Sequence, residues 1–144
     1  MSRLRILEEA RRRPKTMGSG ERERVLSALK LALSARDEVE LAVVHGGFVG
    51  SEVFRDIDVA LYTGHRVSAD EAPSYADGVR EELERAIGIG VDVQLLDYAP
   101  PGFTYRALTR CRVLVERRPG LSSILRVHAK EDLRRLRRAL RLGP

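Results

Sequence analysis

Only one of the 144 residues is a cysteine, Cys111. A lone cysteine excludes an internal disulfide framework and any zinc cluster built on several thiolates. No apolar run approaches the length of a membrane span, and the basic start of the chain has no apolar signal core. Aromatic residues make up only 5% of the chain. They do not interleave with basic residues, so the stacking surface of a single-strand nucleic-acid binder is missing. Lysine is scarce too: there are three lysines against 23 arginines. No internal repeat and no low-complexity linker interrupts the chain. What is there is one domain's length with 43% apolar residues, enough for a core without cross-links. The expectation is a single domain over 1–144, soluble and cytoplasmic, with no membrane association.

Charge is unevenly spread. Residues 1–15 carry a net +4 and residues 117–144 a net +7, whereas residues 16–116 carry −6. The overall +5 therefore does not describe the middle of the chain. The basic C-terminal end could bind nucleic-acid phosphate, but a solvated helix face is the preferred reading.

Periodicity gives a coarse map. Residues 3–13 predict a short helix, and Pro14 to Gly20 a break. Ser19 is placed to cap a helix over 20–36, whose Val25, Leu26, Leu29, Ala32 and Leu33 share a face. Glu40–Val44 predicts a buried strand ending at His45-Gly46-Gly47, and Asp56–Tyr62 a second strand. A helix follows over 73–87, striped by Tyr75, Val79, Leu83 and Ile87. Its start is open between a Ser68–Glu71 capping box and Pro73 at the first helical position. Val91–Leu96 predicts a third strand, 103–110 a short helix and Cys111–Glu116 a fourth strand. The last helix spans 121–141, with Leu125, Leu133, Leu136 and Leu140 on one side. About four strands with four or five helices imply an α+β or α/β domain built on a small mixed sheet.

The chemistry concentrates in Gly46-Gly47, then Asp56-Ile57-Asp58, then Asp92. Residues two apart on a strand point to one face, so Asp56 and Asp58 stand together while Ile57 points to the core. Paired carboxylates on one face repel each other and resist burial. A divalent cation reverses that penalty, and hard oxygen ligands suit Mg²⁺. Asp92 could add a third carboxylate from the next strand, as two-metal phosphoryl chemistry uses. Glycines at 46 and 47 allow close backbone approach and expose N–H groups to phosphate.

This pattern resembles the nucleotidyltransferase superfamily related to DNA polymerase beta. It is most similar to the minimal nucleotidyltransferases, which include MntA-like antitoxins encoded beside HEPN-domain toxins. The matching positions are Gly46, Gly47, Asp56, Ile57, Asp58 and Asp92, and the stretch after Asp92 also has the family's ending of Pro-rich turn, short helix and strand. The resemblance covers about residues 22–118, leaving the basic ends 1–15 and 119–144 outside it. It implies an α+β fold like the polymerase beta palm. It also implies Mg²⁺-dependent transfer of a nucleoside monophosphate, AMP from ATP being expected, to a hydroxyl with release of pyrophosphate. Asp56 and Asp58 would hold two metal ions. Asp92 would hold the catalytic one and help deprotonate the acceptor. Gly46 and Gly47 would meet the leaving phosphates.

Two departures alter the phosphate-binding half. Gly47 stands where small members of the family commonly have Ser, and Phe48 and Val49 where they have Arg. The spacer to Asp56 is also shorter. Ser51 and Arg55 are the candidate replacements in nucleotide binding. Two functions follow. One is an enzyme acting on a hydroxyl of a partner, a tyrosine of a HEPN toxin if the resemblance extends so far. The other is a catalytically weak or inactive antitoxin-like subunit that neutralises its partner by contact. A homo-oligomer is a further expectation.

Other features have plainer readings. Gly46-Gly47-x-x-Gly50 leaves no room for the helix of a dinucleotide-binding unit before Asp56. Asp97 reads as a turn carboxylate, His65 and His128 as surface or packing residues, and Cys111 as a small buried residue. For His45, a strand-end role and a nucleotide contact stand level.

Overall fold

The apolar run Leu41–Val44 lies at the centre of the molecule, each of its four side chains 0% exposed. In the computed structural model, which describes residues 13–142, the elements run β1 (Lys15–Thr16), α1 (Ser19–Ser34), β2 (Leu41–His45), α2 (Gly47–Gly50), β3 (Val53–Phe54) and β4 (Ile57–Tyr62). They continue with α3 (Ala72–Ile87), β5 (Val91–Leu95), a 3₁₀ turn (Leu96–Tyr98), α4 (Pro101–Thr109), β6 (Cys111–Glu116) and α5 (Leu121–Leu142). The helix expected over 3–13 falls almost wholly outside the described residues. Among the described residues, no helix is long and apolar enough to cross a membrane.

The main sheet has the order β5-β4-β2-β6. β2 pairs antiparallel with β4 and with β6, while β4 and β5 are parallel, joined through α3. The sheet is thus mixed, as expected. Helices cover both faces, which is why β2 is apolar throughout instead of alternating. On one face Leu26, Leu29 and Leu33 of α1 and Val79 and Leu83 of α3 pack on Ala42, Val44, Ile57, Val59 and Leu61. On the other, Leu108 of α4 and Leu121 of α5 pack on Leu41, Val43 and Ala60.

Several local expectations are corrected. Ser19 is the first residue of α1, not its cap; Gly18 holds the cap position and no side-chain bond is made there. Gly18 needs no side chain to take the extended cap conformation. Both candidate starts of α3 are used. Ser68 and Glu71 exchange bonds in a preceding turn, with Glu71 N donating to Ser68 Oγ at 3.3 Å and the Ser68 hydroxyl donating to Glu71 Oε1 at 2.8 Å. The helix proper begins at Ala72, with Pro73 in its first turn. The two-stranded β1–β3 ribbon and α2 have too few residues to show a period. The stripe of α5 outruns the body: Leu121 is buried, but Leu136 is 51% and Leu140 76% exposed.

Candidate active site

Strand register builds the site. β2 ends at His45, and on the two neighbouring strands its partners are Asp58 of β4 and Cys111 of β6. Asp58 is in turn the parallel partner of Asp92 on β5. The rim of the sheet therefore reads Asp92, Asp58, His45, Cys111 in order. Asp56 precedes β4 and sits close enough to Asp58 to perturb its charge.

The carboxylates are electrostatically loaded. Burial, then the charge of Asp92, then that of Asp56, push the Asp58 carboxyl up to about 6. Asp56 Oδ1 is buried without a hydrogen-bond partner. A buried carboxylate oxygen with nothing to accept from is costly. Beside two further carboxylates it marks a place suited to a cation. Among the described residues no three acidic, His or Cys side chains form a ready-made metal cage. Mg²⁺ needs none, because it takes one or two carboxylates and completes its shell with water and substrate phosphates. The donor set is therefore the right kind for Mg²⁺, with Asp56 and Asp58 as the residues able to hold it and Asp92 exposed beside them.

The turn after β2 is shaped by its first glycine. Gly46 has φ +74° and ψ −153°, a region closed to residues with a side chain. A Cβ there would lie 2.2 Å from Asp58 Oδ2. Gly47 has no such constraint; its Cβ would make ordinary contact with Phe54 at 3.7 Å. Phe48, which replaces an expected Arg, turns inward, is 3% exposed and meets Phe54 edge to face. Arg22 of α1 ties this segment from behind. Its guanidinium donates to the carbonyls of Met17, Phe48 and Glu52 and lies about 5 Å over the rings of Phe48 and Phe54.

A cleft of about 490 Å³ opens between this turn and α4, lined by His45, Gly46, Gly47, Ser51, Phe103, Arg106 and Arg110. Ser51 is thus at the cleft, although its hydroxyl already accepts from Val53 N at 3.3 Å. Arg55 is exposed and does not line it. A larger groove of about 860 Å³ lies between the start of α1 and the α2–β3 turn; none of the three aspartates lines either space, but Gly46, which stands against Asp58, lines the smaller one. The contact between Gly46 and Asp58, not size, ties the smaller cleft to the carboxylates.

His45 meets Phe103 edge to face at 5.6 Å, and its Nε2 is buried without a partner. Burial lowers its pKa against the opposing pull of Asp92. His45 thus takes the strand-end position, with its Nε2 left without a partner there. Asp97 does behave as a turn carboxylate, accepting from Thr63 N, the Thr63 hydroxyl and His65 N. Arg22, Arg106 and Arg110 were not singled out from sequence. The one available signal was the i, i+4 spacing of Arg106 and Arg110 after the Pro-Pro-Gly turn.

No protein-family model matches this chain, and neither does any curated protein. Solved structures do match. A chain from the complex of tri-AMPylated Shewanella oneidensis HEPN toxin with MNT antitoxin superposes with a TM-score of 0.58 at 15% identity, covering 83% of this chain and 89% of the other. A chain from a toxin–antitoxin complex with AMP-PNP gives a TM-score of 0.65 at 16% identity, covering 77% and 88%. The MntA–HepT pair supplies a match with a TM-score of 0.60 at 14% identity, covering 83% and 89%. The chain shares the fold of the MNT antitoxins in these complexes. Asp58 and Asp92 lie near the starts of β4 and β5 with Asp56 just before β4, and Gly46, which lines the cleft, stands against Asp58.

Proposed function

We propose that the chain is a Mg²⁺-dependent nucleotidyltransferase that moves AMP from ATP to a hydroxyl and releases pyrophosphate. The acceptor is a tyrosine hydroxyl on a HEPN-domain partner, so the pair works as toxin and antitoxin. The observation that carries this reading is the register pairing of Asp58 with Asp92, with Asp56 and its unpartnered Oδ1 alongside. The MNT-type fold supports it, as does its occurrence in complexes with an AMPylated HEPN toxin and with AMP-PNP.

Asp56 and Asp58 hold Mg²⁺, and Asp92 completes the set. When bound, Mg²⁺ neutralises charge on the triphosphate and lowers the pKa of an oxygen it touches. The chain's own work is positioning and charge stabilisation. Gly46 lets the turn approach the phosphates without a side chain between them and Asp58. Asp92, exposed at the rim, accepts the proton of the acceptor hydroxyl as its oxygen bonds to the α-phosphorus. The bond from that phosphorus to the pyrophosphate oxygen then breaks. Incubation with α-labelled ATP, Mg²⁺ and the product of the neighbouring gene tests this. Label transferred to that protein is expected; no transfer, where a known relative works, removes the enzymatic reading.

A second reading rests on Gly47, Phe48 and Val49 in the phosphate turn. With the usual Ser and Arg replaced and Phe48 committed to packing, the chain neutralises its partner by contact without turnover. Neutralisation that survives Asp58→Asn favours this reading.

A further inference from the structure

The phosphate turn carries no basic side chain between Gly46 and Gly50, yet the cleft beside it is not without cations. Arg106 and Arg110 are four residues apart, on α4 and at its C-terminal cap, so they share one side of the helix. Both are exposed and both line the cleft opposite Gly46 and Gly47. Neither has an acidic partner among the described residues, whereas Arg66, Arg112, Arg118 and Arg134 are each paired with a glutamate. Register fixes their side of the site. Cys111 is opposite His45, so Arg110 enters the rim on the flank of His45 away from Asp58. Two strand spacings, about 10 Å, then separate the carboxylate flank from the arginine flank.

We infer that Arg106 and Arg110 bind the triphosphate of the nucleotide, supplying from α4 the cations that the turn lacks; this rests on the nucleotidyltransferase reading of the same site. An anion in the cleft lies against Gly46, whose other side abuts Asp58, and meets two guanidiniums across from it. Guanidinium forks suit phosphate oxygens, and a planar donor set holds them in one orientation. Size favours a small molecule, since about 490 Å³ is within the usual range for a ligand pocket.

The test is calorimetric titration of the full chain with MgATP and, separately, with Mg²⁺ and inorganic tripolyphosphate. The variants are Arg106→Ala/Arg110→Ala, Arg106→Lys/Arg110→Lys and Asp56→Asn/Asp58→Asn, with thermal melts confirming that each folds. Loss of both arginines is expected to weaken MgATP and tripolyphosphate about a hundredfold, roughly tenfold for each guanidinium, with partial recovery in the lysine pair. Affinity for MgATP within twofold of wild type in the alanine pair overturns the inference and leaves the proposed function standing. Arginine-dependent tripolyphosphate binding without ATP binding supports the anion site and removes the nucleotidyl reading. A wild-type chain that binds neither overturns both, and binding of single-stranded oligonucleotide in preference to MgATP overturns the assignment to a triphosphate.

Discussion

Gly46 and Asp58 leave no room for each other's growth: a Cβ on Gly46 would stand 2.2 Å from Asp58 Oδ2. The glycine is therefore tied both to the turn and to the carboxylate. Gly46→Ala must relax the backbone from φ +74° and move Asp58. The backbone conformation alone is expected to cost about 1–3 kcal/mol. Chemical denaturation checks this, with Gly47→Ala as the comparison. That substitution meets only ordinary contacts and leaves stability unchanged or raises it by up to about 1 kcal/mol.

Asp58 sets a pH dependence for the metal-free chain. Its folded-state pKa of about 6 lies above its ordinary value of 3.8. Between those values the folded state holds a proton that the unfolded chain has lost. The stabilisation is full below about pH 4 and is lost as pH rises through 6. Asp58→Asn removes this loss. At pH 7 without metal the variant is expected to be more stable, by on the order of 1 kcal/mol because the half-exposed site is screened by solvent. Added Mg²⁺ should raise the melting temperature of wild type and leave Asp58→Asn unmoved. Melts at pH 4, 6 and 8, with and without Mg²⁺, read both effects.

Arg22 holds the phosphate turn from behind, through backbone carbonyls and not through Asp56, Asp58 or Asp92. Arg22→Ala removes donors from three carbonyls and a guanidinium over two aromatic rings. The expected cost is about 3 kcal/mol, with residues 46–54 losing amide-exchange protection first. Arg22→Lys keeps the charge but not the fork, and recovers only part. Urea denaturation and hydrogen exchange measure the two outcomes.

The two ends of the α5 stripe differ in what they support. Leu121 is 3% exposed and Leu140 76%. Leu121→Ala is expected to cost about 2–5 kcal/mol, and Leu140→Ala no more than about 0.5 kcal/mol. Parallel denaturation curves separate them.

How much was legible follows from how local each signal was. β6 matched Cys111–Glu116, and β4 and β5 were found within a residue at either end, because β-branched and apolar runs bounded by Gly or Pro define strands locally. Asp56, Asp58 and Asp92 were grouped from spacing and resemblance, and the Asp58–Asp92 register now puts two of them side by side. The tie from Arg22 to Phe48 and Glu52 spans 26 and 30 residues, and nothing periodic announces it. Arg106 and Arg110 looked like ordinary helix-surface charge, since it takes the β2–β6 pairing and the packing of Leu108 on Leu41 and Val43 to bring α4 to the cleft. The capped start expected at Ser19 failed for a smaller reason, because Gly18 takes the extended cap geometry at no steric cost.

The central claim is that Asp56, Asp58 and Asp92 serve transfer of a nucleotide to a partner's hydroxyl. The most direct measurement is the intact mass of the neighbouring gene's product, purified after co-expression with wild type and with Asp58→Asn. The account predicts one or more added AMP groups with wild type and none with the variant. An unmodified partner that is nonetheless neutralised by wild type would contradict it.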